Sequence, residues 1–368
     1  MNLPFEGTGA FNDTAIQFLI DQKFIQETKT SSVKPSSLDL TVIRESLVEV
    51  PFCFQASIKK TIAETLKEFK ARKLKDFTLE PGRMYVAEIR EKITLPHDLG
   101  VYAYANPKSS TGRADIHVRL MADFVQEYDT IPKGFDGKLY VFIKTNSFRI
   151  QFDSDFSLNQ IRFFNGDTRL HHSSLEELVD SNIIYSTKYE RHLSYKEVCT
   201  DQKTALLTVD LRAEEGKPAG FIANRHVFEP VVWDAKNDAH IFFEEITKAH
   251  TDTPLIFEKD RFYILSSREY CKVPEEYACE MITIDEKLGE FRSHYAGFLD
   301  PGWGVNNEYG RPFTLEVRAF EDIAMYHGQP VARIRYEKML AKADAHYDTI
   351  SSNYTDQMTA RLGKMFVW

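Results

Sequence analysis

The chain has no long apolar run. Nowhere in its 368 residues do 18 apolar side chains follow one another, so a membrane-spanning helix is not expected. Cysteine is scarce as well. The four cysteines, at 53, 199, 271 and 279, form no Cys-x-x-Cys pair and no Cys/His cluster, which argues against a structural zinc site. None of the eleven histidines opens a His-x-Glu, and no Pro-Cys-x-x-Cys follows. The zinc motif used for water attack on nucleobases is therefore missing. Nor is positive charge in excess. A net charge of −9 excludes a general nucleic-acid or anionic-membrane binder while leaving room for a local basic pocket. The first residues, "MNLPFEGTGAFNDTA", show no basic-then-apolar leader, and a soluble cytoplasmic protein is the expectation.

What is present is a chain 43% hydrophobic and long enough for two domains. Short alternating, aromatic-rich stretches dominate. "RMYVAEI", "GKLYVFIKT", "FRIQF", "RFYILSS" and "FTLEVRAF" read as strands, with Gly, Pro, Asn and Asp between them. Helical periodicity is confined to "DTAIQFLIDQKFI" with Asp13 as its cap, "SIKKTIAETLKEFKARKL" at 57–74, and "SLEELVDSNII" at 174–184. The expected fold is all-β, a sandwich or barrel with a few covering helices.

The strands repeat. "GRMYVAEIREKITLP" at 82–96 lies over "DRFYILSSREYCKVP" at 260–274 without a gap, matching Arg83/Arg261, Tyr85/Tyr263, Arg90/Arg268, Glu91/Glu269 and Pro96/Pro274. In the same order, 36–42 lies over 206–212, 131–137 over 299–305 and 139–145 over 313–319. Two copies of one all-β unit are expected, over residues 1–168 and 190–368, with a junction near 166–195. The copies differ at polar positions. The first carries "NPKSSTGR" at 106–113, either a surface turn or a cradle for phosphate oxygens; the second has "TIDEKLGEFR" in that place. The second carries Glu316 inside "FTLEV", where the first has Phe142. That carboxylate faces either solvent or a site.

These residues resemble the dCTP deaminase and dUTPase superfamily. Its deaminases carry a loop close to Arg-Ser-Ser-Leu-x-Arg, here "KSSTGR" (108–113), and a turn like Ile-Asp-Pro-Gly-Trp-x-Gly, here "LDPGWG" (299–304). A Leu-Glu strand follows, here "TLEV" (314–317), and then a Gly-x-x-Ile-x-Gln hairpin, here "LNQIRFF" (158–164) or "GQPVARIRY" (328–336). "VKPSSLDL" (33–40) is similar to the family's Pro-x-Ser-x-Asp-Leu strand, and "NYTDQMTARLGKMF" (353–366) to its closing tail. The resemblance implies two tandem dUTPase-like distorted β-barrel (β-clip) units, a double-length deaminase making dUTP toward thymidylate. It also implies a homo-oligomer, with the trimer as the family's form. Ligands would be dCTP and dUTP, with dTTP as a further nucleotide.

Replacing the 4-amino group of cytosine by oxygen needs water at C4 and a proton for the departing amine. A carboxylate in a dry pocket suits both steps, and without zinc to acidify the water a positioned base becomes more necessary. The resemblance makes Glu316 that base and places Ser109 and Arg113 against the charge developing on the ring. Ser110 and Lys108 then suit the triphosphate; the family usually has arginine at the latter position, so bidentate contact is lost there. Asp300 matches a residue near the deoxyribose, although Asp-Pro-Gly is also simply a good turn former. Thr314 and Leu315 would border the base. Tyr347, Tyr354 and Gln357 match a tail that closes over the nucleotide. Phe298 stands where the family often has arginine. Mg2+ is expected with the triphosphate. Neither copy holds both the serine loop and the glutamate, so one site made where the copies meet, within or between chains, is the expectation.

Two other functions fit parts of this pattern. A dUTPase, or a bifunctional enzyme running to dUMP, needs a carboxylate aiming water at the α-phosphate, and "FLDPGW" retains an Asp. A non-catalytic nucleotide sensor would follow if each copy had merely decayed. The lysine-rich 57–74 stretch reads as a solvated helix face, and the His171–His172 pair as loop.

Overall fold

The computed structural model describes residues 4–214, 216–282, 291–293, 297–344, 347–348 and 357–368. Strands hold 39% of the residues and helices 13%, so sheets carry the side chains of interest, as the alternating stretches imply. The mostly-β expectation with few helices holds, and no closed barrel is found among the described residues. Many edge pairings are only two residues long, too short to carry a ladder around a ring.

The chain divides into two units. One comprises Met1–Thr168, Val227–Asn237 and Met339–Asp344; the other comprises Arg169–His226, Asp238–Lys338 and Ala345–Trp368. Residues 169–189, placed at the junction by the sequence reading, lie in the second unit. The first unit has a six-stranded sheet built on Val101–Pro107 and Asn159–Asn165. Its five-stranded sheet is built on Ile116–Ala122, Leu139–Thr145 and Met84–Glu88. The second unit is organised around Phe262–Cys271, Arg311–Ala319 and Pro330–Lys338 in one large sheet.

The repeat is visible in the ladders of each unit. In the first, Tyr85 faces Ile143 and Val86 faces Phe142; in the second, Tyr263 faces Val317 and Ile264 faces Glu316. The Tyr85 hydroxyl accepts the backbone N–H of Glu80 at 2.9 Å, and the Tyr263 hydroxyl that of Glu258 at 2.8 Å. Ile131 faces Ala103 and Leu299 faces Cys279. Each of those short strands runs into a turn with a glycine at positive φ, Gly134 at 78° and Gly302 at 85°, a conformation that costs any residue with a Cβ. One alignment is corrected by three residues. Buried Glu91 accepts the N–H of Thr41, and buried Glu269 that of Thr208. Thr41 thus corresponds to Thr208, not to Leu211.

The helices are shorter than their periodicity suggests. The first runs Asp13–Asp21, and its cap is Asn12, whose side chain accepts the N–H of Ala15. Asp13 is instead the first helical residue, bonding the N–H of Thr14. The lysine-rich stretch yields only Ile62–Glu68, started by a Thr61/Glu64 capping box. Lys70 then takes φ of 51°, and Arg72–Lys73 joins Val48–Val50 as a strand. The third helix is His172–Asp180, so His172 is helical and not loop. Asn182, at φ 68°, turns the chain into the strand Ile184–Ser186.

Candidate active site

In the first unit, the strand Val101–Pro107 runs directly into the serine loop. Lys108, in extended conformation, caps a single helical turn, Ser109–Gly112. Two bonds to one carbonyl hold this turn against the neighbouring strand: the Lys108 N–H and the Thr111 hydroxyl both donate to Leu158 O, each at 2.8 Å. The surface-turn reading is thereby corrected. Ser110, Thr111 and Gly112 are buried, and Arg113 is only 6% exposed, while Lys108 and Ser109 are half-buried. The Lys108 ammonium donates to Asp39 at 2.6 Å, with the Ser157 hydroxyl at 3.5 Å. Behind the turn, Asp115 takes φ of 55° and its carboxylate accepts the Ser147 hydroxyl at 2.6 Å. A loop so tied is already ordered and has little freedom left to lose.

Asp39 and Asn159 complete this half, and sequence reasoning assigned neither a role. Asp39 stood in the quoted "VKPSSLDL", but its pairing with Lys108 comes from the ladder between Ser37–Asp39 and Asn159–Asn165. Asn159 lies opposite Pro107. It is fully buried, and neither its amide oxygen nor its nitrogen finds a partner among the described residues. An unpaired buried amide is costly. An asparagine within the apolar run "LNQIRFF" was the available signal.

In the second unit, Glu316 stands in mid-strand on Arg311–Ala319 and is 2% exposed. The solvent-facing alternative is excluded. Eight of the nine residues of that strand are buried, so both faces are covered and alternation does not apply. Thr314 and Glu316, two residues apart, project to the same face. Leu315 projects to the other and packs in the apolar core with Phe313 and Val317. Gln357 is buried and donates to the Thr314 hydroxyl at 2.7 Å and to Pro312 O at 3.3 Å. Asp300 is half-buried, and its carbonyl accepts the N–H of Trp303 across the turn. The Tyr347 N–H donates to Pro301 O at 2.9 Å. Asp348 forms a buried ion pair with Arg311. Phe298 is buried opposite Glu280. Tyr354 and most of "TIDEKLGEFR" lie outside the described residues.

Among the described residues no group of three or more His, Cys, Asp or Glu is arranged to hold a metal ion, and no helix is long and apolar enough to cross a membrane. Residues 7–167 match the family model for the 2′-deoxycytidine 5′-triphosphate deaminase N-terminal domain, and residues 173–366 match that for its C-terminal domain. The chain belongs to the 2′-deoxycytidine 5′-triphosphate deaminase family. It is a hydrolytic deaminase. The deaminase is similar to the crystal structure of 2′-deoxycytidine 5′-triphosphate deaminase from Agrobacterium tumefaciens, with 34% identity and a TM-score of 0.83. That match covers 92% of this chain and 97% of the other. A search of curated protein sequences returns no significant match. The serine loop lies in the residues of the N-terminal model, and the glutamate strand in those of the C-terminal model.

Proposed function

We propose that this deaminase converts dCTP and water to dUTP and ammonia, with Glu316 as the base. The observation that carries this reading is the burial of Glu316 in mid-strand, on one face with Thr314. A carboxylate there is shielded from bulk water, so it serves as a base for one bound water. Glu316 takes a proton as the water oxygen bonds to C4 and passes it to the exocyclic nitrogen. Ammonia then leaves, and the proton remaining on the C4 oxygen passes to N3 as the C4 carbonyl forms. Thr314 and the backbone about Leu315 position the base, and Gln357 holds the Thr314 hydroxyl in one orientation.

Ser109 and Arg113 stabilise charge developing on the ring. Lys108 and Ser110 take phosphate oxygens, Lys108 exchanging Asp39 for substrate. Asp300 lies on the turn assigned to the sugar, Tyr347 bonds that turn through its N–H to Pro301 O, and Tyr354 belongs to the closing tail. Magnesium comes with the triphosphate as part of the substrate and is held by phosphates and water. No zinc is given a part in this reading, since the His-x-Glu and Pro-Cys-x-x-Cys pattern that would hold one is missing from the sequence. The reaction serves as a source of dUTP toward thymidylate, in a soluble, homo-oligomeric enzyme.

The test is to incubate the purified chain with dCTP and Mg2+, separating nucleotides while assaying ammonia. Equal amounts of dUTP and ammonia are expected. Release of dUMP with pyrophosphate instead would assign hydrolysis at the α-phosphate as a second activity. Nucleotide binding without product would overturn the catalytic reading in favour of a sensor. A second expectation concerns the tail: Gln357→Leu removes the hydrogen bonds to Thr314 and Pro312 at nearly constant volume. It should lower kcat/KM for dCTP by about 5- to 30-fold at ~0.5–1 kcal/mol per bond, and steady-state ammonia release would measure it.

A further inference from the structure

The repeat exposes a missing counter-ion. In the first unit, Asp155 has two partners: one oxygen accepts the N–H of Arg44 at 2.9 Å, and the other pairs with the guanidinium of Arg90. The second unit keeps this framework. The Val42 N–H donates to Phe156 O in the first unit, and the Val209 N–H donates to Gln329 O in the second. Phe156 also donates its N–H to Val42 O, whereas in the second unit that bond comes from the Gly328 N–H to Val209 O. One residue more is therefore spent there, and the place of Asp155 is shared by His327 and Gly328, with Arg44 at the position of Leu211 and Arg90 at that of Arg268.

The second unit divides Asp155's two tasks and performs only one. The Leu211 N–H is taken by Nδ1 of His327 at 3.1 Å, which places the neutral ring's proton on Nε2 as a donor. Nothing replaces the oxygen that faced the arginine. The Arg268 side chain lies across Gly328, with Cζ 3.3 Å from where a Cβ would stand. Its guanidinium has no hydrogen-bond or ion-pair partner among the described residues. The ladder to Arg311–Ala319 lapses between Ser266 and Tyr270, so Arg268 sits on an irregularity that re-aims its side chain. It is half-buried, which leaves it reachable.

The surroundings are cationic. Arg212 donates to the Thr187 hydroxyl at 2.9 Å, and that hydroxyl donates to Arg268 O at 3.2 Å. Burial lowers the proton affinity of His327, and the charges of Arg268, Arg212 and Lys188 lower it further, against Asp210. Asp210 is itself occupied by Arg212, and Glu214 by Lys217.

We infer that Arg268, lying over Gly328 beside Arg212, Lys188 and His327, binds a small phosphate-like oxyanion where the first unit supplies a carboxylate. Two planar N–H donors of a guanidinium match two oxygens of such an anion. The Nε2–H of His327 and the charges of Arg212 and Lys188 favour a dianion.

The probe is labelled inorganic phosphate in equilibrium dialysis against the full chain. Lys108→Met is carried in every protein to suppress phosphate at the serine loop. One phosphate per chain is expected, weakened at least about tenfold by Arg268→Gln, since a charged hydrogen bond contributes ~1.5–3 kcal/mol. Gly328→Asp should weaken it comparably, since its Cβ would run into Arg268 Nη1 and push the guanidinium aside while its side chain supplies an internal carboxylate, and Asp is among the residues that enter positive φ. Equal binding by the parent and Arg268→Gln, or no binding by the parent, would overturn the inference. Should Arg268→Gln fail to fold, as judged by near-ultraviolet circular dichroism, retained binding by Gly328→Asp overturns it. Competition by dCTP supports the site with a nucleotide phosphate as its source, and undisturbed binding supports it with free phosphate.

Discussion

Glu316→Gln is expected to cut kcat for dCTP deamination by about 10²- to 10⁴-fold, the range supplied by a positioned general acid–base group. Dissociation of dCTP should change by no more than about threefold, well under 1.4 kcal/mol. The amide keeps the size of the carboxyl group and one acceptor oxygen, but it cannot carry a proton from water to the leaving amine. Because Glu316 is 2% exposed, a neutral substitute removes a desolvation cost and the fold should persist. Single-turnover ammonia release, paired with equilibrium dialysis of dCTP, separates chemistry from binding. Unchanged turnover would assign the base elsewhere. Lost binding together with lost turnover would make Glu316 a structural residue of its strand.

The second large effect is on stability. Glu269→Ala is expected to destabilise the chain by about 2–4 kcal/mol, and Glu269→Gln by less than about 1 kcal/mol. Both carboxylate oxygens of Glu269 are engaged by one residue, the N–H and the hydroxyl of Thr208, each at 2.7 Å. Alanine leaves a buried N–H unpaired, whereas glutamine still accepts it. Burial raises the Glu269 carboxyl above the ordinary carboxylate range, outweighing the Thr208 hydrogen bonds that lower it. A raised acid binds its proton more tightly when folded. Its contribution to stability is therefore complete below the unfolded value and declines as pH rises through the folded one. Stability of the wild type relative to Glu269→Gln should thus fall from acid toward neutral pH. Denaturant midpoints of both proteins at several pH values would measure this; a difference independent of pH would contradict the buried-carboxylate account. Glu91 occupies the same place in the first unit, is likewise raised by burial, and should behave in parallel.

Much of the fold was legible. Aromatic and β-branched stretches such as "LYVFIKT" became strands because such residues pay little to extend and gain much by burial. The repeat was legible because Arg83/Arg261, Tyr85/Tyr263 and Glu91/Glu269 share one spacing. Helix lengths were less legible. The stretch 57–74 keeps polar residues suited to a helix, but its run ends at Phe69 because the next segment is needed as an edge strand. Tertiary pairing overrides propensity there. At the site, the order of serine loop, turn and Leu-Glu strand was readable as a resemblance. The partners of those residues, Asp39 for Lys108 and Gln357 for Thr314, were not.

The sequence by itself determined the strand-rich character, the duplication and the residue types offered for chemistry, because these follow from local composition and spacing. Only the tertiary structure decided that Glu316 is buried and not solvated, and that Asn159 is enclosed beside the serine loop. It alone decided that Arg268 lacks the carboxylate Arg90 enjoys. Burial and pairing depend on which distant segment packs on each face, and no local pattern specifies that segment.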